Sequence, residues 1–157
     1  RKIITITGDA VNTPCNFNVK LGTNYQELIE AAGGFKEEPE KIISGGPMMG
    51  QALFTVDIPV SKTSSALTCF TKDQVSALEP TACIRCGRCV SVCPSRIVPV
   101  MMMQAALRND CERFEKVNGM ECMECGSCTY ICPARRPLTQ AFKEMRKTVA
   151  ANRRKKG

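Results

Sequence analysis

At 157 residues the chain has room for one domain or two small ones, and its 22 Lys and Arg against 15 Asp and Glu give a formal net charge of +7. With six Phe, two Tyr and no Trp there is no base-stacking platform, so nucleic acid is not an expected partner. No apolar run approaches the length of a membrane span. The charge is unevenly placed: residues 1–134 carry 13 basic and 14 acidic side chains, whereas residues 135–157 carry nine basic residues against Glu144. The first residue is Arg1 rather than Met, which suggests a piece of something longer.

In chain order, Ile4 to Thr7 alternates apolar and polar residues and reads as a strand ending at Gly8-Asp9, with Cys15 to Val19 as its hairpin partner. Asn24 is placed to cap a helix, with Glu27 three residues on. That helix runs through Tyr25, Leu28, Ile29 and Ala32 and stops at Gly33-Gly34. Lys41 to Ser44 reads as a strand, leading into Gly45-Gly46-Pro47-Met48-Met49-Gly50, with a further strand expected over Val56 to Val60. The glycine-rich stretch lacks the Lys-Ser/Thr of a P-loop and is read first as a tight structural turn, with ligand or interface contact as the other reading. Residues 63–80 read as a connector in which Ala66 to Phe70 has strand character. This pattern is that of a small α+β domain.

The next stretch carries the chemistry. Cys83-Ile84-Arg85-Cys86-Gly87-Arg88-Cys89-Val90-Ser91-Val92-Cys93-Pro94 is repeated, 39 residues on, as Cys122-Met123-Glu124-Cys125-Gly126-Ser127-Cys128-Thr129-Tyr130-Ile131-Cys132-Pro133. Both copies read Cys-x-x-Cys-x-x-Cys-x-x-x-Cys-Pro, the spacing that holds a cubane iron–sulfur cluster. Zinc sites more often join two separated ligand pairs and commonly use His, which this chain lacks. A disulfide framework suits small secreted chains, and no signal peptide is present. Two [4Fe–4S] clusters are therefore expected, in a reducing and so cytosolic compartment. In two-cluster proteins of this spacing the fourth cysteine of each run serves the other cluster. That assigns Cys83, Cys86, Cys89 and Cys132 to the first cluster, and Cys122, Cys125, Cys128 and Cys93 to the second.

Gly87 and Gly126 follow the second cysteine of each run, where a side chain would crowd the amides. Cys15, Cys69 and Cys111 are left over and read as small buried hydrophobes, as Met48-Met49 and Met101-Met102-Met103 read as packing residues. Val98 to Phe114 reads as one helix turning at Asn118-Gly119. After Pro137, the residues Leu138, Phe142, Met145 and Val149 mark one face of another, with Arg153 to Lys156 frayed. The basic end reads either as a solvated tail or as a contact for anionic lipid or an acidic partner protein. Arg85 and Arg88 in the first loop face Glu124 and Ser127 at the matching places of the second, which by charge alone favours reduction of the first cluster.

Together, the first module, with Glu30-Ala31-Ala32-Gly33-Gly34 and Ser44-Gly45-Gly46-Pro47-Met48-Met49-Gly50, and the two cysteine loops resemble the C-terminal part of the RnfC (RsxC) family, a component of Rnf (Rsx) electron transport complexes. The resemblance implies a β-grasp domain of the soluble-ligand-binding (SLBB) type over 1–62, a connector over 63–80, a mainly helical ferredoxin-like domain with two [4Fe–4S] clusters over 81–142, and a basic helix end and tail over 143–157. It implies an electron-relay part of an ion-translocating ferredoxin/NAD oxidoreductase at the cytoplasmic side of the bacterial inner membrane. FMN and NADH would then bind in a domain outside this chain. Partners would be the other subunits of the complex and ferredoxin or a flavin domain, with peripheral contact to an anionic membrane surface. No acid–base or nucleophilic constellation marks a catalytic residue in this chain. A microcompartment cobalamin reductase shares much of the architecture, and a structural iron–sulfur module is the remaining alternative.

Overall fold

The structure, a computed structural model, describes residues 1–156. The chain divides into two compact units, Arg1–Ala77 and a second from Leu78 onward.

In the first unit β1 (Lys2–Thr7) and β2 (Cys15–Val19) form an antiparallel hairpin with Ile4 opposite Phe17. The helix α1 (Tyr25–Ala31) begins where the Asn24 side chain accepts a hydrogen bond from the Gln26 N–H at 2.9 Å, and Gly33 and Gly34, both at positive φ, end it. Strands β3 (Lys41–Ser44), β4 (Gln51–Leu53) and β5 (Ala66–Phe70) complete one sheet in the order β2-β1-β5-β3-β4. β5 runs parallel to β1 and antiparallel to β3. This is the β-grasp arrangement, in which a helix packs across a mixed sheet. Alternation along β1 turns Ile4 and Ile6 inward. They are buried with Tyr25, Leu28 and Ile29 of α1 and Leu67 and Cys69 of β5. Burying each large aliphatic side chain contributes about 1.5–3 kcal/mol. Gly8, at φ 118°, cannot be replaced: a Cβ there would lie 1.9 Å from the Cys69 carbonyl oxygen of the adjacent strand.

Two expectations for this unit are corrected. The strand after the glycine-rich turn is β4, Gln51–Leu53, and Val56 to Val60 forms no strand: within it Pro59 makes an isolated antiparallel bridge to Asn24, and Val60 is buried from a loop. The strand expected at Ala66 to Phe70 is β5, but it is hydrogen-bonded on both sides within the sheet, so the stretch 63–80 does more than connect. The first unit therefore extends past residue 62.

The second unit repeats one plan. A cysteine loop leads into a short helix, α2 (Arg88–Ser91) or α5 (Ser127–Ile131). A proline-bearing turn follows, and then a longer helix, α3 (Pro99–Leu107) or α6 (Leu138–Lys156). Between the copies lie α4 (Cys111–Lys116) and a 3-10 turn at Gly119–Glu121. α2 packs on α5 and α3 on α6. Met102, Phe114, Phe142, Met145 and Val149 fill the core, with the Phe114 and Phe142 ring centroids 6.3 Å apart.

The single helix expected over Val98 to Phe114 is broken. Asn109 adopts φ 51°, and the Asp110 side chain accepts from the Arg113 N–H at 2.9 Å to start α4 anew. Asn and Asp offer the backbone local alternatives to a helix, and here they take them. The expected fraying of Arg153 to Lys156 is also corrected. α6 continues to Lys156, with Arg153 Nε donating to Glu115 at 2.8 Å and Asn152 lying 3.5 Å from the Cys111 sulfur. Gly157, the last residue of the expected tail, lies outside the described residues.

Candidate metal centre

The two cysteine loops share a backbone as well as a spacing. Arg85 and Glu124 both stand at φ 56°, Arg96 and Arg135 both at 53°, and Gly87 and Gly126 at 73° and 84°. Left-handed backbone costs an L-residue with a side chain about 1–2 kcal/mol, so its recurrence at matched positions marks a required loop shape. The loops turn tightly enough to bring the first three thiols of each run to one side.

The fourth thiol comes from the other loop. Cys83, Cys86, Cys89 and Cys132 line one cavity of about 420 Å³, together with Arg85, Val100, Met103, Leu107 and Arg136. Cys93, Cys122, Cys125 and Cys128 line a second and much tighter cavity of about 20 Å³, with Ile97, Pro99, Glu124, Thr139 and Phe142. Among the described residues no three metal-binding side chains converge on a single-ion point. In each set the four thiols line one common cavity. Four sulfur donors with no oxygen or nitrogen ligand are the soft donor set of iron–sulfur chemistry.

The sites differ in cover. Residues 81–88 of the first loop are exposed throughout, Cys83 and Cys86 included, whereas Cys122 and Cys125 are half-buried and Cys128 is 9% exposed. Burial pushes the thiols of Cys89, Cys122 and Cys128 above the usual cysteine range. At Cys89 the neighbouring Cys132, Cys83 and Cys86 add to it. Cys125 is shifted the other way by a hydrogen bond with the Ser127 hydroxyl, 3.5 Å away. Backbone N–H groups of Glu124 and Ser127 also favour thiolate at Cys122 and Cys125.

Several residues that local sequence does not single out belong to the second site. Thr139 is buried, with its hydroxyl 2.8 Å from that of Thr129 and 3.7 Å from the Cys128 sulfur. Arg146, from the middle of α6, pairs with Glu124. Glu124 therefore does not present a bare negative charge to the second site, and the contrast drawn from Arg85, Arg88, Glu124 and Ser127 weakens accordingly. Nothing in local sequence signals this pair, which lies 22 residues apart. At the first site Arg136 joins Arg85 in lining the cavity.

The remaining candidates divide. Gly45 to Gly50 is a compact turn closed by Gly50 N–H to Gly46 O at 2.8 Å and tied to β5 by the Thr68 hydroxyl on Gly45 O at 3.0 Å. Met48, Met49 and Met101 are exposed rather than packed, whereas Met102 and Met103 are buried. Cys69 is fully buried, its thiol pushed up to about 11 by burial; Cys15 and Cys111 are half-buried.

Residues 3–52 match the SLBB domain and residues 77–133 the 4Fe-4S dicluster domain. Over 155 residues the chain is 43% identical to the C component of the Na(+)-translocating ferredoxin:NAD(+) oxidoreductase complex of Acetobacterium woodii, covering 99% of this chain and 35% of that protein. It is 47% identical over 102 residues to the C component of the proton-translocating ferredoxin:NAD(+) oxidoreductase complex of Clostridium ljungdahlii, covering 65% of this chain and 22% of that one. It is 40% identical over 141 residues to the C component of the ion-translocating oxidoreductase complex of Rhodobacter capsulatus, covering 90% and 27%. The chain thus spans about a third or less of the length of these curated relatives.

Proposed function

Because the chain belongs with the C component of the ion-translocating oxidoreductase complexes over the stretch it spans, we propose that it is an electron relay within such a component. Cys83, Cys86, Cys89 and Cys132 hold one [4Fe–4S] cluster, and Cys122, Cys125, Cys128 and Cys93 hold the other. The observation that carries this reading is the pairing, around each of two separate cavities, of three thiols from one loop with one from the other. Crossed fourth ligands tie the two redox centres into one small fold.

When bound, the clusters supply one-electron chemistry. The chain orients the thiolates through the left-handed loop residues. It keeps water from the second site with Ile97, Pro99 and Phe142, and leaves the first site open to an approaching donor or acceptor. No bond-making step falls to these residues. FMN and NADH belong, on this reading, to parts of the protein outside this chain, and ferredoxin or a flavin domain exchanges electrons with it. Relatives named for Na⁺ and for protons match it at 43% and 47% identity. Other subunits of the complex hold it at the cytoplasmic face of the inner membrane, where the basic end of α6 meets an anionic surface. No helix among the described residues is long and apolar enough to cross a membrane.

The test is an iron and sulfide count on the purified chain, followed by dithionite reduction under electron paramagnetic resonance (EPR). About eight irons per chain, reversible bleaching and spin-coupled signals are expected. A chain holding half that iron, or clusters that resist reduction as structural ones would, overturns the relay.

A further inference from the structure

Arg146 stands where the two halves of the second unit differ most. The 39-residue offset that aligns the loops also aligns the cavity walls: Val100 with Thr139 and Met103 with Phe142, each pair lining its own site. The same offset aligns Leu107, an exposed apolar wall of the first cavity, with Arg146. It aligns Arg85 with Glu124, so an arginine and a leucine beside the first site become a glutamate and an arginine, paired, at the second. Thr139, Phe142 and Arg146 follow one another at three and four residues along α6 and so share one face of the helix.

One end of the Arg146 guanidinium is held by Glu124, which sits between Cys122 and Cys125. At the other end, Nε is buried and has no hydrogen-bond partner among the described residues. The guanidinium is planar and its donors form a rigid fork, so a fixed Nη1 fixes the direction of Nε–H as well. A buried donor without an acceptor is costly, and each such group calls for an explanation. Thiolates and cluster sulfides are anionic acceptors, and hydrogen bonds to those sulfurs raise a cluster's reduction potential.

We propose that Arg146 is a positioning residue of the second cluster, donating its Nε–H to one of that cluster's sulfurs while its Nη1 clamps the ligand loop through Glu124. This rests on the ligand assignment proposed above. At the first site Leu107 stands in the corresponding place on the helix, and the arginines that line that cavity, Arg85 and Arg136, come from the loops instead.

The experiment uses the full iron-loaded chain labelled with ¹⁵N-arginine, reduced and examined by pulsed EPR. The second cluster's signal is assigned by its loss in Cys93→Ala. An arginine ¹⁵N hyperfine coupling at the second cluster is expected in the parent chain and absent in Arg146→Lys, which keeps the positive charge. Arg146→Lys is also expected to lower the midpoint potential of the second cluster and to leave that of the first unchanged. With both clusters loaded, a parent chain without the coupling overturns the proposal, as does a coupling that survives Arg146→Lys or an unshifted second potential. Should Arg146→Lys fail to load its second site, the parent coupling still decides, with Arg96→Lys as control: Arg96 follows Cys93, and loss of the coupling there reassigns the donor and overturns the role of Arg146. A parent chain with only about four irons would sink the ligand assignment instead.

Discussion

The two cysteine loops are alike in spacing and in backbone, down to the same φ at Arg85 and Glu124, yet they occupy different surroundings. The first lies open against α3, with Arg85 and Arg136 at its wall. The second is tucked under α6, with buried Thr139 and Phe142 and the Glu124–Arg146 pair beside it. The difference shows that a ligand set and its environment are encoded in separate places. Each twelve-residue run supplies the turn and three thiols of one set, with the fourth thiol coming from the other run; the helix that follows decides cover and charge. α3 stops at Leu107, before Asn109-Asp110, whereas α6 runs on to Lys156 and brings an arginine to the site.

The largest expected effect tests whether the loops are distinct units at all. Cys93→Ala lies in the first run but should abolish the second cluster, and Cys132→Ala should abolish the first. Iron content roughly halved, with EPR showing which signal is lost, checks this; damage confined to the run that was mutated breaks the crossed arrangement.

Next comes pH. Cluster ligands must be thiolates, and burial raises Cys122 and Cys128 at the second site and Cys89 at the first. A raised thiol stays protonated across neutral pH, so loading releases its proton and is opposed as pH falls. Iron uptake by the apo chain should weaken about tenfold per pH unit for each proton released. Ordinary thiols are protonated at neutral pH as well, so both sites should depend on pH there; the raised Cys122 and Cys128 should carry the second site's dependence to higher pH than the first's, and dependences that level off together would erase the distinction drawn from burial.

A smaller effect follows from exposure. Because Cys83 and Cys86 are open to solvent, ferricyanide or a chelator should degrade the first cluster several-fold faster than the second, followed by loss of each EPR signal. The smallest concerns charge. Arg85→Glu with Arg88→Ser should lower the first cluster's potential by on the order of 10 mV, since both side chains are exposed and screened. Glu124→Gln should raise the second by a similar amount. Redox titration reads both.

Much of this is legible in the sequence for a local reason. The hairpin of β1 and β2, the cap at Asn24, β3 and the thiol spacing each depend on residues a few positions apart. β4 escapes such a reading because three residues carry little pattern, and the break at Asn109-Asp110 because the apolar periodicity of Met102 and Phe114 continues across it. The Glu124–Arg146 pair joins residues 22 apart, and the cover of the second site comes from Thr139 and Phe142 on a later helix, which the pattern of the loop itself does not reveal. Residue type alone makes Cys15 and Cys111 candidates for burial; their partial exposure depends on an edge strand and a helix start.

The position of β5 has a consequence for biosynthesis. It is hydrogen-bonded between β1 and β3, and its parallel partner β1 was made some 60 residues earlier: Thr5 pairs with Ala66. During synthesis from the N-terminus the hairpin and α1 emerge first, but the sheet lacks its middle strand until residue 70 has left the ribosome. Such a distant pairing closes slowly compared with a hairpin. The nascent β-grasp domain therefore waits with β1 and β3 unpaired along one side each. Its completion comes as the first cysteine loop is about to follow, which sets the earliest moment at which iron delivery meets a finished neighbouring domain.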